Sequence, residues 1–306
     1  MRLARRYASA VGVILSHLGT NLSAQAPPYY DSLLQQVRVA ARSVPGNLPL
    51  SVGYLAFAEA QARLSDLIST PDTAPITVVF AVFQIRFRHR WMIVDAGFDR
   101  ETWTQFFRDS SATYWQDRYD KVQLALRGAE LIVLTHEHWD HAAGVERGAY
   151  LNQVAPRTLV TQAQLNSMLE PPASPYVRLP ADSIPRYQSI EFERLHAIAP
   201  GVVLISAPGH SPGSQMVFVR LASGREVILV GDLVWNMAGL ERNLQRSEAA
   251  SRDLKEDREA VQRQIDWIRR ITADQRIVAI PCHDKRWLES LTTMGLITDG
   301  LDLVTR

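Results

Sequence analysis

Residues 134–144 read LTHEHWDHAAG. Between His136 and His141 this stretch holds three of the chain's eight histidines, together with Glu137 and Asp140. Imidazole and carboxylate are the natural ligands of zinc and related divalent metals. A hydrophobic core would gain nothing from so many polar groups together. The spacing is H-x-H-x-D-H over His136, His138, Asp140 and His141. It differs from the helical zinc-protease pattern, which needs a second histidine four residues after the first, where Asp140 stands here. In a loop, positions i and i+2 point to one side, so His136 and His138 can share one metal while Asp140 and His141 face a second.

The run before this loop, Leu131 to Leu134, is a buried-strand pattern, so the ligands begin where a strand ends. Three further strand-like runs end the same way. Val203 to Ser206 leads into APGHSPGS with His210, Val227 to Val230 into Gly231-Asp232, and Ile277 to Ile280 into Pro281-Cys282-His283-Asp284. Rigid strands are good supports for loop ligands, and the recurrence points to one site assembled from several strand ends.

The rest of the chain is read around that site. Ile76–Phe87 and Trp91–Asp95, parted by a polar turn, read as a hairpin. Thr158–Thr161 and Met216–Leu221 are further strands. Ser247–Ile271 reads as one amphipathic helix with Leu254, Val261, Ile265 and Ile268 on its apolar face. Helices and strands interleave, but several strands come as hairpins, which predicts a mixed α/β sandwich rather than a doubly wound sheet. Residues 170–200 carry six prolines and read as an irregular insertion.

Composition narrows the function. Of 306 residues 46% are hydrophobic and 21% charged, with a formal net charge of +1, and no run of five like charges gives a nucleic-acid footprint. A single cysteine, Cys282, makes no intrachain disulfide and no cysteine-rich zinc module; it reads as a packed strand-end residue. Arg2, Arg5 and Arg6 precede an apolar stretch, Ala8–Leu18, and small residues follow at 23–26. That order reads as a secretory signal peptide over residues 1–26, leaving one domain over 27–306 that is periplasmic or secreted. The apolar stretch is about half of the roughly 20 residues a membrane span needs. The expected partner is a small-molecule substrate, with no nucleic acid; the oligomeric state is not encoded in any visible pattern.

With Asp95-Ala96-Gly97, the H-x-H-x-D-H loop, GHSPGS, Gly231-Asp232 and Cys282-His283-Asp284 taken together, the chain resembles the metallo-β-lactamase superfamily over about residues 48–285. The resemblance implies an αββα sandwich with the metal site at one edge of the sheets. It implies two Zn2+, with iron or manganese as alternatives sharing these ligand types. His136, His138 and His210 would hold the first metal and Asp140, His141 and His283 the second. Asp232 would bridge them, and Asp95 would support the ligand loop from behind. Asp140 and Asp232 are the carboxylates expected to act in catalysis. The implied chemistry is attack by a metal-bound hydroxide on an ester-like bond. The pair His283-Asp284 and the APGHSPGSQ turn are similar to the acyl-homoserine lactonase branch, so a lactone is the expected substrate. The alternatives are a periplasmic β-lactam hydrolase, or a thioesterase or phosphodiesterase of the same fold. In one departure, those lactonases carry a tyrosine three residues after the bridging aspartate, where this chain has Trp235, whose indole N–H donates but has no titrating phenol. Trp235 and Met237, with Leu240, are the candidates for lining a substrate pocket.

Overall fold

The computed structural model describes residues 32–107, 112–169, 177–179, 182, 186–273 and 276–303. The expected signal peptide and much of the proline-rich segment lie outside them. Among the described residues two sheets stack face to face. The first has the strand order β13 (Thr298–Asp299), β1 (Ser51–Arg63), β2 (Pro75–Arg86), β3 (Trp91–Val94), β5 (Leu131–Val133), β6 (Thr158–Thr161) and β7 (Gln188–Ile190), with β4 (Thr113–Tyr114) also paired to β1. The second runs β12 (Ile277–Ile280), β11 (Glu226–Leu229), β10 (Gln215–Arg220), β9 (Val202–Ser206) and β8 (Leu195–Ala199).

The hairpin expected at 76–95 is present as antiparallel β2 and β3, with Phe83 opposite Val94. Its outer neighbour β1 pairs with β2 along its whole length, with a bulge at Phe57, and strand 51–63 is buried on both faces over most of its run. The alternation that marks a half-exposed strand is therefore missing from SVGYLAFAEAQAR. From β3 onward the first sheet is parallel, through β5, β6 and β7. Parallel neighbours need a crossover, and the helix Gln116–Gly128 supplies the one from β3 to β5.

Hydrophobic burial forms three layers. Val52, Phe83, Val94 and Val133 of the first sheet meet Leu204, Val217 and Leu229 of the second in the middle layer. Phe57, Ile93 and Ile132 face outward against Val122 and Leu126 of the helix Gln116–Gly128. On the far side Val203, Phe218 and Ile228 meet Leu33 and Val37 of the helix Leu33–Ala40 and Val261, Ile265 and Ile268 of the helix Arg258–Thr272. This is the αββα sandwich.

Two expectations are corrected. The segment 247–271 is two helices, Glu248–Asp253 and Arg258–Thr272, because Lys255 turns into the left-handed region at φ 59° and Asp257 caps the second helix by accepting from Ala260 N at 3.0 Å. Segment 170–200 is not wholly irregular: β7 and β8 both lie within it, and Val177 and Leu179 are buried in the outer core of the first sheet.

The sheets are joined at one edge, where parallel strands end. There Val79 N donates to His283 O at 3.1 Å, and Gln215 N donates to Thr135 O at 2.8 Å. Gly144 allows a second close contact. Its N–H donates to Gly97 O at 2.6 Å, and a Cβ on it would sit 2.0 Å from Ala96 O. That contact presses the helix Trp139–Glu146 against the Asp95-Ala96-Gly97 turn.

Candidate metal centre

Every sequence-expected ligand follows a strand of this edge. Thr135, His136 and His138 follow β5, and Asp140 and His141 open the helix Trp139–Glu146. His210 follows β9, Asp232 follows β11 and His283 follows β12. His136, His138, His141, His210, Asp232 and His283 are all buried, and Asp140 keeps slight solvent contact.

The carboxylate of Asp232 is the centre of the cluster. Its Oδ2 lies 3.4 Å from His210 Nε2 and 3.8 Å from His136 Nε2. Its Oδ1 lies 3.1 Å from His283 Nε2 and 3.3 Å from His141 Nε2. His138 Nδ1 faces His210 Nε2 at 3.1 Å, on the Oδ2 side. Asp140 Oδ2 is 3.5 Å from both His141 Nε2 and His283 Nε2, on the Oδ1 side. The donor atoms of His136, His138, His210 and Asp232 all lie within 4.8 Å of one another, as do those of His141, Asp232, Cys282 and His283.

The far nitrogens of three imidazoles are held from behind, which fixes which nitrogen faces inward. Asp95, itself in the left-handed region at φ 65°, accepts from Thr135 N at 2.7 Å and pairs with His141 Nδ1 at 2.9 Å. Val79 O takes His283 Nδ1 at 2.8 Å. Glu256 Oε1 takes His210 Nδ1 at 2.6 Å. Glu137 works between loops, accepting from Ser211 Oγ at 3.0 Å and from Gly213 N at 3.2 Å.

These residues fit a divalent metal. His136 Nε2 and His141 Nε2 are buried without a hydrogen-bond partner among the described residues, which native interiors seldom leave. Burial, then the neighbouring His141 and His138, push His136 well below the ordinary imidazole range, and burial with His210 does the same to His138. Both are therefore neutral, with a lone pair to give. For His141, burial works downward, but Asp140, Asp95 and Asp232 outweigh it and hold the imidazole well above that range. For Asp232, burial works upward, but His283 and His141 hold the carboxyl well below the carboxylate range. The Oδ1 side is thus an anionic cage that already favours a positive charge.

The remaining expected residues are placed differently from one another. Trp235 reaches the cluster: its Nε1 donates to Asp232 Oδ2 at 2.6 Å, and its ring stands 5.8 Å from that of His283. Met237 has its backbone N–H on Asp284 Oδ2 at 2.8 Å and lines a neighbouring cavity of about 710 Å3 with Leu64 and Trp287; Leu240 is buried in the core. Asp284 also caps the helix Lys285–Thr293 by accepting from Trp287 N. Cys282 is buried as a strand-end residue, and its Sγ also lies 3.0 Å from Asp232 Oδ1. Burial, then Asp232, hold that thiol far above the ordinary range, so it is a neutral S–H donor.

Glu137, Glu256 and Arg246 were not singled out from the sequence. Glu137 sits inside the histidine motif and could have been found there. Glu256 is disguised by the charged face of what reads as one continuous helix. Trp139, between two motif residues, stacks on Phe106 at 4.1 Å beside the cluster.

Comparison with known proteins agrees with this geometry. The family profile described as Metallo-beta-lactamase superfamily matches residues 81–263. The N-acyl homoserine lactonase AiiA of Bacillus thuringiensis subsp. kurstaki is 29% identical over 110 residues, 36% of this chain and 40% of the relative. The match thus spans well under two thirds of that relative's length. Among solved structures, an N-acyl homoserine lactone hydrolase with N-hexanoyl-L-homoserine bound at its catalytic metal center superposes with a TM-score of 0.61 at 16% identity, over 79% of this chain and 96% of that one. AidC, a dizinc quorum-quenching lactonase, gives a TM-score of 0.54 at 13% identity over 79% and 91%. At such identities the superpositions speak for the fold alone. The profile match covers more than half of the chain, and with the motifs and the sandwich it assigns the protein plainly: the chain belongs to the metallo-beta-lactamase superfamily.

Proposed function

We propose that this protein is a dinuclear-metal hydrolase that opens an ester-like bond in a small molecule, with a lactone as the leading substrate. The observation that carries the reading is the division of the Asp232 carboxylate, one oxygen toward His136 and His210 and the other toward His141 and His283. His136, His138 and His210 would hold one metal and Asp140, His141 and His283 the other, with Asp232 shared. Zinc is the first choice for such imidazole and carboxylate donors, and iron and manganese are compatible with them. Two such cations, when bound, lower the pKa of water and polarise a substrate carbonyl.

The chain's own side chains do the rest. Asp95, Val79 O and Glu256 each hold one imidazole so that its Nε2 faces inward. Asp232 is placed to accept a hydrogen bond from an attacking water and so to orient it. Asp140, the most solvent-accessible carboxylate of the cluster, can take the proton that the attacking water gives up and return it to the leaving oxygen. Trp235 stands where its N–H and ring edge the cluster, as a donor and a wall for substrate. Neither a serine nor the neutral Cys282 thiol is needed as nucleophile. A lactone suits this arrangement because both products of ring opening stay joined, and the leaving oxygen remains beside Asp140. The relatives named as N-acyl homoserine lactonases support the same substrate class.

The test is a hydrolysis screen of purified, zinc-supplemented protein against N-acyl homoserine lactones of several chain lengths, simple esters, thioesters, β-lactams and phosphodiesters. Lactone opening should be fastest. Strong β-lactam turnover without lactone or ester turnover would replace this reading with the β-lactam alternative.

A further inference from the structure

The break between the helices Glu248–Asp253 and Arg258–Thr272 is built against a cost. Lys255 adopts φ 59°, a region that a lysine seldom occupies. Around it Glu256 N donates to Ser251 O and Asp257 N donates to Gly209 O, each at 2.8 Å, so the break is tied to the turn that carries His210. The result is that Glu256 points inward and its side chain is fully buried. Its Oε1 lies 2.6 Å from His210 Nδ1 and 2.9 Å from Arg246 Nη1. Arg246 is buried as well. It donates to the backbone carbonyls of Asp232 and Leu233, and its guanidinium lies 4.8 Å from the centre of the Trp235 ring.

An ion pair that served the fold alone could sit anywhere. This one joins three parts of the cluster: the imidazole of His210, the backbone that carries Asp232, and the indole that reaches the Asp232 carboxylate. Burying two charges is expensive, and strained backbone persists where the surroundings enforce it, often at functional sites. A carboxylate on Nδ1 keeps the Nε2 lone pair of an imidazole turned to a metal and makes it a stronger donor.

We propose that Glu256 is a positioning residue of the metal centre, which sets the metal affinity of the His136–His138–His210 side through His210 and steadies Trp235 and Asp232 through Arg246. This rests on the reading of His210 as a metal ligand.

The test is metal binding, with no substrate present. Metal-free wild-type protein, Glu256→Ala and Glu256→Gln are titrated with Zn2+ against a chromogenic chelator, and the visible spectra of their Co2+ forms are recorded. Glu226→Ala is the control, because it breaks another largely buried ion pair, with Arg38 at 2.6 Å, at the far end of β11. Glu256→Ala should weaken one of two metal equivalents about 10- to 100-fold and change the cobalt spectrum. Glu256→Gln keeps the shape and an acceptor oxygen but loses the charge; it should weaken the same equivalent about fivefold and serves if the alanine variant does not fold. Glu226→Ala should lower Tm and leave both affinities unchanged. Wild-type affinities and cobalt spectra in the Glu256 variants would overturn the assignment, as would an equal loss of affinity in Glu226→Ala. A wild-type chain that takes up no metal would overturn the ligand reading itself, and this inference with it.

Discussion

Replacing Asp95 with asparagine should disable the site without touching any ligand. Asp95 Oδ1 accepts from Thr135 N at 2.7 Å, and its Oδ2 pairs with His141 Nδ1 at 2.9 Å. Both oxygens therefore face donors, and an amide has only one oxygen. If that oxygen serves Thr135, the amide N–H2 faces His141 Nδ1 and drives the imidazole proton to Nε2, where the lone pair is needed. If it serves His141, the buried Thr135 N–H is left facing another donor, at a cost of about 1–3 kcal/mol. The hydrogen bond lost in the first case involves a charged partner and is worth about 1.5–3 kcal/mol. At about 1.4 kcal/mol per tenfold, metal affinity on the His141 side should fall roughly 10- to 150-fold. Asparagine is the informative choice because it tolerates the left-handed backbone that residue 95 adopts, so backbone strain does not confuse the result. The assay is competition for Zn2+ with a chelator, alongside circular dichroism to show that the fold persists. A folded Asp95→Asn protein that binds two metals with wild-type affinity would show that Asp95 does not set the orientation of His141.

Trp235→Phe removes the N–H that lies 2.6 Å from Asp232 Oδ2 but keeps a ring. It should lower kcat/KM across a lactone series by roughly 10- to 150-fold, the worth of a hydrogen bond to a charged partner at about 1.5–3 kcal/mol, while two metals still bind. The metal-free protein should be most heat-stable near pH 6.5, close to the ordinary imidazole pKa. His136 and His138 are held below it, so the unfolded chain binds more protons as pH falls under about 6.5 and stability is lost; His141 and His283 are held above it, so their contribution is full below about 6.5 and is lost as pH rises through their folded values. Asp140 and Glu137, raised by burial, oppose the acid-side loss, so that limb should be the shallower; a Tm that climbs steadily from pH 5 to 8 would contradict the assigned charge states. We also expect the exported protein to begin after Ala24 or Ala26 of the sequence, as read by intact mass; an intact Met1 or Arg2 terminus on material from the cytosol would contradict export.

That the candidate ligands gather in one cluster was legible because each lies shortly after the end of a short aliphatic strand, a pattern that neither burial nor register can hide. The hairpin of β2 and β3 was legible for the same reason, with a polar turn between two β-rich runs. What escaped the sequence shares a physical cause, which is that local pattern was overridden by tertiary contacts. Strand β1 is covered on both faces, so its alanines and leucine show no period of two. The helix break at Lys255 is enforced by Asp257 N on Gly209 O, a contact between residues 48 positions apart, whereas the local charges suit a continuous helix. Glu256 falls among the charged positions of that helix pattern, yet its side chain is buried together with that of Arg246. Asp284 was visible as half of a His-Asp ending, but its part in tying the helix Lys285–Thr293 to Met237 N appears only when β12 is set beside the segment after Asp232.

Asp232 would be shared by two metals, one on its His136 and His210 side and one on its His141 and His283 side. Elemental analysis of folded protein purified without chelators tests it most directly. About two equivalents of zinc per chain are expected, or two of zinc, iron and manganese together, falling to one or fewer in Asp232→Ala. One equivalent or none in the wild-type protein after reconstitution with zinc would contradict it.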